Sequence, residues 1–139
     1  MTKVMCFGAF DGLHPGHLDF FRQAKKYGDF LIVSVGRDSN VFKIKAKKPL
    51  FGEEERLELI SNLKIVDKAI LGAPDDFYAH IKEQMPDVVC LGYDQWAGED
   101  EVRKELDSIG LSKCRIIRLE PYNVARAKST IVKEKSVDF

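Results

Sequence analysis

The sequence predicts an α/β fold in which a doubly wound, five-stranded parallel sheet lies between two layers of helices. Two observations predict it. Five short runs of the sequence are apolar almost throughout, which is typical of parallel strands that are covered on both faces. Between these runs, apolar side chains recur at helical spacing over segments of about 10–15 residues. The 139 residues are enough for one core, so we expect a single three-layer domain over residues 1–139.

Each strand is predicted from one apolar run, and each helix from a periodic segment between two runs. The strands are predicted over Val4–Phe7, Phe30–Val35, Lys68–Leu71, Val88–Leu91 and Cys114–Leu119. The helices are predicted over His17–Tyr27, Glu53–Leu63, Asp75 or Asp76 to Gln84, and Glu99–Ile109. Doubly wound sheets bind ligands beyond the carboxyl ends of their strands, so the functional residues are expected in loops that directly follow strands.

Composition argues against several classes of function. Lys and Arg together number 22, as do Asp and Glu, so the chain lacks the positive excess that is usual in nucleic-acid-binding proteins. No apolar run is long enough to span a membrane, and the first residues lack the pattern of a secretory signal. We therefore expect a cytoplasmic protein with no membrane partner. The cysteines Cys6, Cys90 and Cys114 lie in apolar runs, which predicts buried, reduced thiols.

The segment Gly8–His17 is the strongest functional signal in the sequence. It leads from the first strand into the first helix and reads Gly-Ala-Phe-Asp-Gly-Leu-His-Pro-Gly-His. Glycines allow a ligand to approach the backbone closely, and the N–H groups at a helix start attract phosphate. His14 and His17 are three residues apart, so both imidazoles can face one side of that helix start. Such a cluster of donors suits a polyphosphate.

The same segment has two other interpretations. Glycine and proline can form an ordinary loop in which the histidines are incidental. The two histidines can also bind a metal ion, because imidazole is a good zinc ligand. However, His80 is the only further histidine in the sequence, and no acidic cluster lies beside the pair. We therefore expect no protein-bound metal.

The segment Phe10–His17 resembles the His-x-Gly-His signature of the cytidylyltransferase-like nucleotidyltransferase family, and the resemblance covers the whole chain. It implies a Rossmann-like nucleotidyltransferase fold. It also implies transfer of a nucleoside monophosphate from an NTP to a phosphorylated acceptor, with release of pyrophosphate. By this resemblance His14 and His17 hold the triphosphate and stabilise the transition state. The nucleotide-binding residues expected in the segment are Gly8, Ala9, Phe10, Asp11 and Gly16.

A basic segment follows the second strand. Lys43–Lys48 contains four lysines in six residues and is predicted to be a loop at the same edge of the sheet as the histidines. Such charge runs are usually solvated surfaces, but this one can also supply positive charge to phosphates. The family carries a phosphate-contacting lysine in this loop and an arginine on the next helix that reaches the phosphate site. The resemblance therefore points to Lys45, Lys48 and Arg56, although Arg56 can also pair with Glu53 on the helix surface.

The loop Leu91–Trp96 follows the fourth strand and is expected to face the histidines, because strands one and four flank the switch point of the sheet. Asp94 can accept hydrogen bonds from a ribose or an amino group, and Gln95 can read a base edge. A polar turn with one aromatic ring packed inward is the alternative. The loop is more similar to that of the archaeal-type FAD synthetases, which adenylate FMN, than to the Gly-Asp-Asp-Trp of glycerol-3-phosphate cytidylyltransferases.

Near the C-terminus the family carries the signature Arg-Thr-x-Gly-Ile-Ser-Thr-Thr. The corresponding segment here is Val124–Ile131, which reads Val-Ala-Arg-Ala-Lys-Ser-Thr-Ile. Ser129 and Thr130 match the signature and can cap a helix start that faces phosphate, or form an ordinary cap. The glycine is absent, and Arg126 lies nearer to Ser129 than in the family pattern. The resemblance implies nucleotide contacts from Arg126, Ser129 and Thr130.

The most specific function that the sequence supports is transfer of AMP from ATP to FMN, which gives FAD. Two alternatives stay open: a cytidylyltransferase that uses CTP and glycerol 3-phosphate or another phospho-alcohol, and a nucleotide-binding module without catalysis. The acceptor needs no general base, because a phosphate monoester is already largely dianionic at neutral pH. We expect Mg²⁺ to arrive with the NTP. Relatives in the family are commonly dimers, so a homodimer is expected.

Overall fold

The computed structural model describes residues 1–95 and 97–122, apart from the side chains of residues 44 and 45. Its strands are β1 (Lys3–Gly8), β2 (Phe30–Val35), β3 (Lys68–Leu71), β4 (Val88–Leu91) and β5 (Arg115–Arg118). Its helices are α1 (Pro15–Lys25), α2 (Asp38–Lys45), α3 (Glu53–Ser61), α4 (Phe77–Gln84) and α5 (Glu99–Ser108). None of these described helices is long and apolar enough to cross a membrane.

The five strands form one sheet in the order β3-β2-β1-β4-β5, and every pair is parallel, which confirms the predicted fold. Successive residues of β1 face opposite layers of helices. Val4 and Cys6 pack in one core cluster with residues of α1 and α3. Met5 and Phe7 pack in a second cluster with residues of α4 and α5. Both faces of the sheet are therefore covered, which explains the continuous apolar runs in the sequence.

The helix α2 is the one described element that the sequence pattern does not predict. Of its described side chains only Val41 is buried, so no apolar stripe marks the helix. Ser39 and Asn40 also have weak helix propensity. The predicted loop over Lys43–Lys48 is therefore corrected, because its first residues form the last turn of α2, before a left-handed C-cap at Ala46. Lysines are favourable there, at the negative end of the helix dipole.

The prediction of buried, reduced cysteines is confirmed. Cys6, Cys90 and Cys114 are free thiols, and each is buried in the core. Burial raises the pKa of all three thiols, to about 12 for Cys90 and about 11 for Cys114. Thiols with such high pKa values carry little thiolate at neutral pH, so the cysteines are structural.

Candidate active site

A cavity of about 820 Å³ opens at the carboxyl edge of the sheet, and the loops after β1, β2, β3 and β4 line it. The strand order reverses between β1 and β4, which confirms the expected switch point. The segments 8–11 and 92–95 follow these two strands and line the same cavity. The predicted proximity of the two loops is therefore confirmed.

His14 and His17 form the start of α1. His14 is the N-cap residue, and its Nδ1 accepts a hydrogen bond from the Gly16 amide at 3.0 Å. The Nδ1 of His17 accepts in return from the His14 amide at 3.4 Å. The two side chains thus form a capping box in which histidines take the roles usually filled by Ser and Glu. Pro15 occupies the first helical position, where its missing N–H costs nothing.

The two hydrogen bonds accepted by the Nδ1 atoms of His14 and His17 indicate which ring nitrogen carries the proton. Because each Nδ1 accepts a hydrogen bond, each neutral ring carries its proton on Nε2. The two rings are stacked, with centroids 4.0 Å apart and an interplanar angle of 29°. Both side chains line the cavity beside the start of α1. Two Nε2–H donors and a helix N-terminus at one wall form an arrangement that can hold phosphate groups.

Phe10 supports His17 from the interior. It is 6% exposed, and its backbone adopts a left-handed conformation with φ of 52°. Its ring meets the His17 ring edge-on, with centroids 5.5 Å apart. A Cβ at Gly8 would lie 2.6 Å from the Phe10 ring, so position 8 requires glycine. Phe10 also lines the cavity, and its predicted nucleotide contact stays a prediction.

Asp11 has a structural role beside its predicted nucleotide contact, which stays a prediction. Its carboxylate accepts hydrogen bonds from the amides of Leu50 at 2.5 Å and Phe51 at 2.9 Å. These amides belong to the segment that leads into α3. Asp11 lines the cavity, but its two oxygens connect the loop after β1 to the start of α3.

Arg56 is completely buried, at 0% exposure, and does not face the cavity. Its Nε donates to the Phe51 carbonyl at 2.9 Å, and its Nη1 donates to the carbonyls of Ala9 at 2.9 Å and Gly36 at 2.7 Å. Its Nη2 pairs with Asp38 Oδ1 at 2.6 Å. The guanidinium therefore joins the loops after β1 and β2 to α3. The structure corrects the predicted phosphate contact to a positioning role.

Gln95 holds the loop after β4 in place. Its Nε2 donates to the Phe7 carbonyl at 2.7 Å, and its Oε1 accepts from the Gly92 amide at 2.7 Å. Both ends of the side-chain amide are engaged within the protein, and the prediction that Gln95 reads a base edge stays a prediction. Asp94 and Tyr93 are exposed and line the cavity. The carboxylate of Asp94 is therefore accessible to a ligand, as its predicted role as a hydrogen-bond acceptor requires.

Lys43 of α2 is the lysine of the basic segment that lines the cavity, among the side chains described there. Lys48, predicted to contact phosphate, is exposed and is not part of the cavity wall. The side chain of Lys45 lies outside what the structure describes. The sequence predicts positive charge near the cavity, but it does not show which lysine lines it. That depends on which side chains of α2 face the cavity.

The chain returns to the cavity after β5. Residues 120–122 line it, and Gln23 of α1 fixes their backbone. The Gln23 Nε2 donates to the Glu120 carbonyl at 3.0 Å, and its Oε1 accepts from the Glu120 amide at 2.8 Å. No sequence signal distinguishes this glutamine from a solvated one. The predicted residues Arg126, Ser129 and Thr130 lie outside the described residues, as does Trp96 at the end of the loop after β4.

Two buried polar residues of the cavity wall are not predicted from the sequence. The Ser34 Oγ of β2 lies 2.9 Å from the His80 Nε2 of α4. Burial lowers the pKa of His80, which nearby Arg37 lowers further and Glu83 raises, so the imidazole is neutral at pH 7. The sequence marks these two residues only weakly. Ser34 is one polar residue in an otherwise apolar strand run, and His80 is one histidine on an amphipathic helix.

A helix start bearing two histidines, at the switch point of a parallel sheet, suits a protein that handles nucleoside triphosphates. Residues 5–135 match the family described as cytidylyltransferase-like, and the chain belongs to this family.

The chain is similar to several known proteins of this family. The FAD synthase of Thermoplasma acidophilum is 44% identical over 139 residues, which are 100% of this chain and 96% of the relative. The FAD synthase of Methanosarcina barkeri is 46% identical over 111 residues, 80% of this chain and 78% of the relative. The crystal structure of the lipopolysaccharide core biosynthesis protein from Thermoplasma volcanium has a TM-score of 0.84 at 42% identity. That match covers 88% of this chain and 99% of the other.

Proposed function

We propose that the chain transfers AMP from ATP to FMN and so produces FAD and pyrophosphate. The observation that carries the proposal is the stacked histidine pair at the start of α1, which lines the cavity at the switch point. The relatives support the choice of substrates, because a FAD synthase is 44% identical over the full length of this chain.

The reaction forms one phosphorus–oxygen bond and breaks another. A terminal phosphate oxygen of FMN attacks the α-phosphorus of ATP. The bond from the α-phosphorus to the oxygen that bridges to the β-phosphate breaks, and pyrophosphate leaves with the electron pair. The attacking phosphate is largely dianionic at pH 7, because its second pKa is about 6. The protein therefore supplies alignment and charge stabilisation and needs no general base.

The residues that supply this stabilisation belong to one wall of the cavity. The Nε2–H groups of His14 and His17 donate to phosphate oxygens whose negative charge grows as pyrophosphate departs. The backbone amides at the start of α1 also stabilise this negative charge, and Lys43 adds a positive charge to the same cavity. Mg²⁺ enters as part of the substrate, held by the ATP phosphates and water, because it prefers oxygen ligands and keeps several waters.

Pyrophosphate release tests the proposal. One mixture contains ATP and FMN, another contains CTP and glycerol 3-phosphate, and each NTP alone is the blank, all with Mg²⁺. We expect release with ATP and FMN, together with FAD identified by chromatography, and loss of release with excess chelator. Release only with CTP would assign the chain to the cytidylyltransferases instead. Tight binding of ATP by calorimetry with no release in either mixture would indicate a nucleotide-binding module without catalysis.

Gly16 gives a further test of the histidine geometry. A Cβ at this position would lie 2.7 Å from His14 Cε1 and 2.9 Å from its Nδ1, so Gly16→Ala must displace the imidazole. We expect kcat to fall about 10²-fold, the usual scale for a misplaced catalytic group, with a small change in Tm. The matched control is Gly98→Ala at the start of α5, where nothing lies within 4 Å. Equal activity in both variants would contradict the role assigned to His14.

The homodimer and the cytoplasmic location stay proposals of the same kind. The homodimer is supported by the family resemblance alone, and light scattering after size-exclusion chromatography measures it. A reducing compartment is supported by the three free, buried thiols.

A further inference from the structure

The cavity continues past the end of β1 to the other face of the sheet. There its wall consists of Ser34 at the end of β2, residues 72–75 after β3, and Phe77 and His80 of α4. The proposed reaction places the triphosphate against α1, on the opposite face. It needs a second substrate whose phosphate reaches the same α-phosphorus, and the rest of that substrate has to lie away from α1, toward this part of the cavity.

Ser34 and His80 form a polar pair at the base of this part. They are 4% and 7% exposed, and their Oγ and Nε2 atoms are 2.9 Å apart. Buried polar groups cost free energy, and two apolar side chains of similar size would pack the same space without that cost. Each member also has hydrogen-bonding capacity beyond the shared contact: a hydroxyl has one donor and two lone pairs, and imidazole has a second nitrogen. The pair is therefore equipped to bind a polar group of a ligand.

The surroundings of the pair define the ligand's chemistry. Phe77 lies against Phe7 with ring centroids 4.9 Å apart and a tilt of 54°, and both rings line the cavity. The exposed carboxylate of Asp75 adds negative charge to the same part. Arg37, whose Nε donates to the Gly72 carbonyl of the same wall, offsets this charge, so the aromatic rings and the polar pair define the ligand. A flat, neutral heteroaromatic ring with hydrogen-bonding groups on one edge is matched by the aromatic wall and the neutral pair.

We infer that this part of the cavity, named here the ring subsite and formed by Ser34, Phe77 and His80, binds the isoalloxazine ring of the flavin acceptor. The inference rests on the proposed function. Ser34 and His80 hydrogen-bond the pyrimidine edge of the ring, which presents carbonyl acceptors and an N–H donor. Phe77 packs against the ring face. The FMN phosphate then extends toward the end of β1 and the histidines.

Two substrates and two variants test the ring subsite. Ser34→Ala removes the hydroxyl without adding atoms, and His80→Gln keeps a polar side chain of smaller size. We expect each to raise the KM for FMN about tenfold, the scale for one lost hydrogen bond, with the KM for ATP unchanged. Ser108→Ala on the surface of α5 is the matched control. Riboflavin, which has the ring but no phosphate, is the probe for binding in equilibrium dialysis, and both variants should bind it about tenfold more weakly than the wild type.

The outcomes separate this inference from the proposed function. FAD formation by the wild type, with unchanged KM for FMN in both variants, would overturn the ring subsite and leave the proposed function standing. A raised KM for ATP in place of FMN would overturn it as well. No FAD formation, but riboflavin binding that both variants lose, would support the ring subsite and reject FMN adenylylation. Neither FAD formation nor riboflavin binding by the wild type would overturn both.

Discussion

Replacing His17 with asparagine is expected to lower kcat for AMP transfer by about 10²–10³-fold, the loss seen when one transition-state donor is removed. The asparagine Oδ1 can take the place of Nδ1 as acceptor for the His14 amide, so the start of α1 stays capped. The exchange removes the Nε2–H together with the ring contacts to His14 and Phe10. Steady-state FAD formation measures the rate, and thermal unfolding should show that Tm changes by a few degrees at most.

The control for this prediction is Arg22→Ala, which removes an exposed basic side chain from the same helix. It should keep the wild-type rate. The role assigned to His17 would be contradicted by a His17→Asn enzyme that retains more than a third of wild-type kcat. It would also be contradicted if the loss of rate came with an equal loss in the control.

Arg56→Lys is expected to destabilise the fold strongly. Lysine keeps the charge, but its single ammonium cannot satisfy three carbonyls and a carboxylate in the geometry that the guanidinium provides. Two buried carbonyls left without donors cost about 1–3 kcal/mol each, so we expect a loss of about 2–6 kcal/mol in the free energy of unfolding. Urea denaturation measures this loss.

A matched control distinguishes a positioning role for Arg56 from a phosphate contact. Arg103 also donates to two backbone carbonyls, those of Leu111 and Cys114, but lies outside the cavity wall and is partly exposed. Arg103→Lys should cost less, because water can replace part of its bonding. If Arg56→Lys left the unfolding curve unchanged and raised the KM for ATP, Arg56 would be a phosphate contact after all.

The strands were predictable because parallel strands covered on both faces leave continuous apolar runs. The bounds of β2, β3 and β4 agree with the prediction to the residue. The helix starts at Glu53 and Glu99 were equally readable, since each helix begins with three acidic residues, which are favourable at the positive end of the helix dipole. The histidine pair at the start of α1 was also predictable, because His14 and His17 lie within one helical turn and form the cap of that helix.

The roles of Asp11, Gln95 and Arg56 could not be read from the sequence. Each side chain bonds backbone groups that are distant in sequence, 88 residues away in the case of Gln95 and Phe7. Backbone donors and acceptors are the same at every position, so no residue pattern marks such a partner. A polar residue beside a phosphate-binding motif then resembles a ligand contact, whether it touches the ligand or holds the loop that does.

Of the five strands of this sheet, β1 is the first to leave the ribosome, although it is the central strand of the finished sheet. One of its edges can pair early with β2, but the other waits for β4, and the contact from the Lys3 amide to Asp87 spans 84 residues. Long closures carry a higher entropic cost, and parallel pairing forms slowly. At about 5–20 residues per second, an apolar edge stays unpaired for several seconds of synthesis. The histidine segment is thus translated before four of the five strands, but it gains the opposite wall of its cavity only after the loop that follows β4 has been made.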